Sequence, residues 1–309
     1  MSNPIPFIGY ETIYCRPDIV GLAGLMRQSY ASPLNRVTIP LRTTIKGGGD
    51  SVVLNAMPAY SEQHDLFVTK IGSVVPRPNS SSASVHAVVI AFSATTGHPI
   101  GIFDGQAITH LKCAAVTALV TDYCASPEAN IMGLVGTGVQ AREQLHAVAA
   151  VRDIREVRVH SRDPKRVGAF IGEHESQYPW VKFVGCNSSE EVTQEADVLS
   201  TATTSAEPVI GTTALERAAL HINCFGYHTR DSRELPLQVL ERDSILIVED
   251  VQTAVEEAGD VHQGALSLDR LNQIDRDVLQ STRTIFSSTG HALLDLLTVH
   301  YVCTKLAMV

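Results

Sequence analysis

The sequence predicts an α/β protein, with a doubly wound, mostly parallel sheet in the middle of the chain and a mainly antiparallel sheet before it. Two observations carry this expectation. From Ala129 onward, short apolar runs at 131–135, 157–160, 182–184, 197–202, 221–225 and 245–249 alternate with stretches of helical character. The first run then breaks into Gly136-Thr137-Gly138-Val139-Gln140-Ala141 before a helix resumes at Arg142. Gly136, Gly138 and Ala141 have the G-x-G-x-x-A spacing. The first glycine gives a sharp turn, the second lets backbone approach a pyrophosphate, and the alanine lets helix pack closely on strand. Strand, turn and helix in this order predict a Rossmann-type domain with its ligand crevice at the carboxyl ends of the strands.

The N-terminal part follows a different pattern. Ile19, Leu22, Leu25 and Met26 share one face of a helix that reaches about Tyr30. Strands are expected at 37–42, 51–57, 66–70 and 85–92, with turns at 47–50 and 95–98. Three cations, Arg42, Lys70 and Lys112, stand at the ends of these elements. Lys112 falls in an alanine- and leucine-rich stretch predicted to open as a helix near Thr109. A cation in a first turn opposes the helix macrodipole by up to about 1 kcal/mol. Either an anion shared with the free N–H groups explains it, or the side chain simply reaches solvent.

Within the middle region, the helix after Gly138 offers free N–H groups to phosphates. The next strand ends His160-Ser161-Arg162-Asp163, where an acidic residue would hold ribose hydroxyls. Ser161 and Arg162 come first, so Arg162 is placed to pair with a 2′-phosphate, which predicts NADP; Asp163 leaves NAD open. At the end of the chain, a Ser/Thr/Gly cluster from 284 to 290 leads into an apolar helix reaching about Ala307, expected to pack back on the N-terminal part.

Composition narrows the class. The chain has 309 residues, 44% of them hydrophobic, and a net charge of -9 without a basic run, which argues against nucleic acid as a partner. No apolar stretch reaches 18 residues and the first residues do not read as a leader, so a cytoplasmic chain without a membrane partner is expected. Six cysteines lie far apart and twelve histidines are scattered, so no metal site is predicted.

Several stretches together resemble the ornithine cyclodeaminase/mu-crystallin family. They are Met57-Pro58-Ala59-Tyr60; Lys70 with Pro78-Asn79; Thr96-Gly97-His98-Pro99 leading to Asp104-Gly105; 109–115; 133–141; Thr201-Ala202-Thr203 with Glu207-Pro208; Arg233-Glu234-Leu235; Glu257-Ala258-Gly259-Asp260; and 286–295. They occur in the family's order over nearly the whole chain. The resemblance implies a substrate and dimerisation domain from residues 1–113 and 286–309, and an NAD(P)-binding domain from 114–285. It implies that Arg42, Lys70 and Lys112 hold a substrate carboxylate, with Lys70 also catalytic. The nucleotide would be held by Gly136, Thr137, Gly138, Val139, Gln140, Ser161, Arg162, Thr201, Ala202 and Thr203, and the protein would be a homodimer.

Two departures shape the expected chemistry. The family usually carries arginine where this chain has Lys112, so a two-pronged grip becomes a point charge. Cyclodeaminases place an aspartate in the segment matching 226–229, where this chain has His228. An aspartate manages a second amine by charge, whereas an imidazole exchanges a proton near neutrality. The expectation is therefore an NAD(P)H-dependent reductase of a C=N bond beside a carboxylate, or the reverse dehydrogenation of a small amino acid, with His228 as proton donor. The alternatives are an ornithine or lysine cyclodeaminase that uses NAD catalytically, and a mu-crystallin-like protein that binds a nucleotide and a small acid.

Overall fold

The computed structural model describes residues 4–15, 17–32, 36–47, 52–76, 83–226, 229–241 and 243–308. Pro78-Asn79, most of the 47–50 turn and His228 lie outside the described residues. Contacts divide the chain into two compact units, residues 1–112 with 291–309, and residues 113–290. The first unit opens with β1 (Phe7–Ile8), α1 (Tyr10–Tyr14), α2 (Ile19–Ala31), β2 (Val37–Thr38), β3 (Thr43–Gly47), β4 (Val52–Ser61), β5 (Leu66–Pro76), β6 (Ala83–Ser93) and β7 (Pro99–Asp104). Helix α3 (Gly105–Cys124) follows, and its residues up to Lys112 belong to this unit. The second unit contains β8 (Ile131–Val135), α4 (Val139–Val151), β9 (Glu156–His160), α5 (Pro164–His174), β10 (Lys182–Gly185), α6 (Ser189–Glu195) and β11 (Val198–Thr201). It continues through β12 (His221–Cys224), α7 (Leu237–Glu241), β13 (Ser244–Val248), α8 (Val251–Ala258), β14 (Leu266–Ser267), α9 (Arg276–Ser281) and β15 (Arg283–Ser287). The final helix, α10 (Ala292–Lys305), returns to the first unit.

In the first unit the sheet order is β1-β7-β6-β5-β4-β2, with β3 also paired to β4. Pairing is antiparallel except between β1 and β7. Period-two alternation sends Met57, Ala59, Val68, Val89 and Ala91 to one buried face. Helix α10 packs on β4, β5 and α2, with Leu22 and Met26 of α2 fully buried. The opposite face leaves Ile45, Leu54, Phe67, Val88 and Phe92 exposed. The strand expected at 37–42 is shorter, because Pro40 has no N–H to give a ladder, and pairing resumes only at Thr43.

Helix α3 starts at Gly105, a turn before the expected Thr109. The cause is Asp104, whose Oδ1 accepts the N–H groups of Gln106 at 3.0 Å and Ala107 at 2.9 Å. Lys112 thus lies beyond the first turn; its side chain does not reach solvent, and the N–H groups at the helix start are met by the chain's own Asp104 carboxylate.

In the second unit all eight strands are parallel, in the order β10-β9-β8-β11-β12-β15-β13-β14. The order reverses between β8 and β11, which makes the crevice at their carboxyl ends the topological switch point. Met132, Leu134, Leu145, Val157 and Phe170 form one core cluster, and Val135, Leu199, Ile222, Leu235 and Ile285 form another. Strand β15 is not among the elements the sequence predicts. It is short, lies between β12 and β13, and is buried along its whole length. Its Arg283 hides because Nε donates to Ser244 Oγ at 2.7 Å and the rest of the guanidinium meets backbone carbonyls. Among the described residues no helix is long and apolar enough to cross a membrane.

Candidate functional site

In the second unit, the turn between β8 and α4 is fixed by backbone geometry. Gly136 has φ of +114°, and its N–H donates to His160 O at 2.9 Å. A Cβ built there would stand 2.5 Å from Ala202 O, so the turn tolerates only glycine. At Gly138 the space beside the backbone is open, and no side chain caps α4. The first N–H groups of α4 therefore face a cleft of about 320 Å³. Gly136, Thr137 and Gly138 form one wall of this cleft, and the chain after β11, beginning Ala202-Thr203, forms another. The remaining wall is the end of β9, with Ser161 and Arg162, joined by Arg166 of α5.

The acidic residue at this corner is already engaged. Asp163 caps α5, its Oδ1 accepting the Lys165 N–H at 3.0 Å, and its Oδ2 lies 3.8 Å from Arg166 Nε. Three expected nucleotide ligands do not line the cleft. Val139 is exposed on α4. Gln140 has its side-chain oxygen buried without a hydrogen-bond partner among the described residues. Thr201 is fully buried, its hydroxyl 3.2 Å from Cys224 Sγ.

Behind the cleft wall stands a carboxylate that the sequence reading did not single out. Glu234 is fully buried and accepts N–H groups from Thr203 at 2.6 Å and Gly226 at 2.8 Å. Burial pushes its carboxyl above the ordinary value, while the bonds from Thr203, Thr201 and Gly226 pull it down. A side chain at Gly226 would collide with that carboxylate. Glu234 thus ties the Thr203 wall of the cleft to the segment that leaves β12.

The first unit carries a separate charge cluster. Asp295 on α10 accepts Lys70 Nζ of β5 at 3.1 Å and Lys112 Nζ of α3 at 2.9 Å, both through Oδ1. Its Oδ2 is buried and accepts no hydrogen bond among the described residues. The side chains of Asp295, Lys112 and Lys70 are 0%, 4% and 13% exposed, so Lys70 is the open member of the three. Burial pushes Lys70 down to about 8; the charge of Asp295 resists this and that of Lys112 adds to it. Burial alone would raise the Asp295 carboxyl, but the two lysines bring it below the ordinary value. Arg42 is half-buried and immediately precedes Thr43, which pairs with Ala56. It therefore comes alongside Met57, the residue opposite Lys70.

The sequence profile of the ornithine cyclodeaminase/mu-crystallin family matches residues 23–308. The chain belongs to that family. Within it, the chain is 24% identical over 302 residues to a Delta(1)-pyrroline-2-carboxylate reductase of Bacillus cereus, covering 93% of this chain and 91% of that one. It is 29% identical over 265 residues to the ketimine reductase mu-crystallin of Macropus fuliginosus, covering 84% and 82%. The solved Delta(1)-pyrroline-2-carboxylate reductase of Thermococcus litoralis, in complex with NADH and L-proline, superimposes with a TM-score of 0.83 at 26% identity, over 97% of this chain and 98% of that one.

Of the residues expected from the sequence of this family member, the structure brings Gly136, Thr137, Gly138, Ser161, Arg162, Ala202 and Thr203 to one cleft, and Lys70 and Lys112 to one carboxylate. Sequence reasoning missed Arg166, Glu234 and Asp295. Arg166 follows Arg162 by four residues, and Asp295 is a lone acid amid Leu293-Leu294 and Leu296-Leu297; both signals were present.

The bracing by Glu234 has a measurable cost. Glu234→Ala leaves the Thr203 and Gly226 N–H groups buried and unpaired, worth about 1–3 kcal/mol each. Glu234→Gln keeps an acceptor oxygen and costs less. Urea unfolding monitored by circular dichroism checks this, and an alanine variant with the midpoint of the parent chain would refute it.

Proposed function

We propose that the protein is an NAD(P)H-dependent oxidoreductase that reduces the C=N bond of a small imino acid beside its carboxylate, or oxidises the corresponding amino acid. The observation that carries this reading is the charge of the lysine cluster. Two ammonium groups gather at one carboxylate, and Lys70 is the more exposed of the two. A substrate carboxylate is a suitable complement, with Arg42 as the second cation on that sheet face and Lys112 behind. The named relatives, two of which are by name reductases of the cyclic imine pyrroline-2-carboxylate and a third of a ketimine, support the C=N chemistry.

The cleft of the second unit fits a dinucleotide. Its glycine turn leaves room for a pyrophosphate beside Gly138, and the uncapped start of α4 offers donors to it. When bound, a reduced nicotinamide supplies the hydride. The chain's own residues hold the acid group, hold the nucleotide and deliver a proton to the nitrogen. For that last role we propose His228, on the sequence argument that imidazole donates a proton near neutrality. For the nucleotide we propose NADP, because Asp163 is spent as a helix cap while Ser161, Arg162 and Arg166 line the cleft. Two guanidinium groups suit a 2′-phosphate and disfavour nothing on NAD except by the missing contact.

The reading includes a homodimer. Ile45, Leu54, Phe67, Val88 and Phe92 lie on one sheet face of the first unit and are all exposed. A second copy of the same face covers them through a two-fold contact. Light scattering after size exclusion should give twice the chain mass, and replacing Phe67 and Leu54 together by Lys should yield monomer. A monomeric parent protein would overturn this part.

The activity test follows absorbance of the reduced nicotinamide with pyrroline-2-carboxylate and piperideine-2-carboxylate. Oxidation faster with NADPH than with NADH is expected. Replacing Arg162 or Arg166 by Ala should weaken NADPH by roughly 10- to 100-fold, the value of a charge-assisted bond of about 1.5–3 kcal/mol, and leave NADH nearly unchanged. Ammonia release from ornithine or lysine without net nicotinamide reduction would instead establish a cyclodeaminase, and nucleotide binding without turnover a binding protein.

His228→Ala should lower turnover by about 10²- to 10⁴-fold, the range of general acid catalysis. Unchanged turnover in that variant would move the proton to another group.

A further inference from the structure

The substrate half of the reading above leaves Asp295 unassigned, although it contacts both expected carboxylate-binding lysines through a single oxygen. We propose that Asp295 is a positioning residue that divides its charge between two lysines of different duty: it fixes Lys70 for the substrate's carboxylate, and Lys112 limits how much of that charge Lys70 receives. This rests on the proposed reading only for the identity of the anion.

The geometry separates the duties. Lys112 has a 4% exposed side chain and its Nζ is the nearer of the two to Asp295 Oδ1, at 2.9 Å against 3.1 Å. It is enclosed and serves as a fixed counter-charge. Lys70 makes the longer contact and keeps the open side, so its ammonium has donors left for a ligand. With Lys70 and Asp295 alone the pair would be neutral and would attract an anion weakly. With Lys112 added, the carboxylate is shared between two ammonium groups in a poorly solvated place, where charge acts strongly. Removing Asp295 instead would set two ammonium groups against each other.

The ionisable groups around Lys70 are few and can be named. Its neighbours across the sheet, Met57 on β4 and Val89 on β6, do not titrate. Elsewhere on those strands stand Tyr60 and His86, Arg42 before β3 comes alongside Met57 on the same face, α2, packed against α10, brings Arg27 and Tyr30, and the buried His291 precedes Asp295 by one helical turn. On α3, His110 is two residues from Lys112, and on α10, His300, Tyr301, Cys303 and Lys305 follow Asp295 by more than a helical turn. The largest charge effects on Lys70 come from Asp295, which favours its ammonium form, and Lys112, which opposes it.

Opposite effects follow from the two neighbours. Burial, with the charge of Lys112, holds Lys70 below the ordinary ammonium value in the intact cluster, and the charge of Asp295 opposes them. Asp295→Asn keeps the side chain's shape but removes the charge that holds the proton, so the midpoint moves to lower pH. Lys112→Met removes the opposing charge, so the midpoint moves to higher pH. An opposite or like charge at this range moves a titration by about 1–3 pH units.

The experiment measures acetylation of Lys70 by acetic anhydride as a function of pH, read by peptide mass spectrometry, in the full-length protein and both variants. It needs neither cofactor nor turnover, so it stands apart from the reductase assay: a protein that turns over no imine can still pass it. Midpoints displaced downward in Asp295→Asn and upward in Lys112→Met are expected. Binding of L-proline by calorimetry should weaken above the same midpoints, and Asp295→Glu should restore most of it. Displacements in the same direction, or none in Lys112→Met, which retains a neutral Lys70–Asp295 pair and folds without a repulsive partner, would overturn the proposal.

Discussion

A carboxylate without solvent contact is costly unless cations or N–H donors reach it, and the first unit is built around one that is held by cations. Asp295 interrupts Leu293-Leu294 and Leu296-Leu297 on α10, and it is held by Lys70 from β5 and Lys112 from α3. Removing one partner of a buried ionic cluster costs about 3–5 kcal/mol, because the other charge stays behind without compensation. The cluster therefore constrains three segments far apart in sequence. It explains why the last helix belongs with the N-terminal sheet: α10 supplies both the apolar cover for β4 and β5 and the counter-charge for their lysine.

The second unit depends on backbone rather than charge. Gly136 must take a left-handed conformation, and Ala202 O stands where its side chain would be. The turn after β8 and the chain after β11 therefore approach each other without intervening atoms, which is how a switch point becomes a cleft. Glu234 performs the complementary task from behind, accepting one backbone donor of that wall at Thr203 and one of the segment that leaves β12 at Gly226. A loop that binds a ligand pays conformational entropy on each binding event unless something already holds it, and a buried carboxylate on two N–H groups is such a hold.

Much of this was legible from sequence where the information is local. The glycine spacing, the alternation of strands with helices, and Ser161-Arg162 ahead of Asp163 all express constraints within a few residues. The start of α3 was misplaced because the helix was begun at the alanine- and leucine-rich stretch, whereas Asp104, followed by Gly before that stretch, is a helix cap a turn earlier. β15 was hidden because its four residues after a buried arginine resemble a polar loop until the neighbouring strands supply their ladders. Asp295 was a visible anomaly with no local partner: a buried acid signals a cation, but which cation is a tertiary fact. Arg166 escaped for a smaller reason, since a helical spacing from Arg162 matters only once α5 is known to border the cleft.

The lysine at position 112 ties these observations to the choice of ligand. An arginine there would present a planar fork able to touch Asp295 with one edge and a ligand carboxylate with another. A lysine has one compact charge, and in this chain it is committed to Asp295 behind Lys70. On the proposed reading the acid group of the ligand then relies on Lys70, with Arg42 beside Met57 as the second cation on that face of the sheet. With a point contact from Lys70 and no fork at position 112, only the Arg42 guanidinium is able to fix the plane of the acid group, so on that reading orientation of the substrate falls more heavily on the shape of its ring or side chain. Small cyclic imino acids meet that condition, since ring closure removes the torsions that a flexible diamine would need to lose on binding.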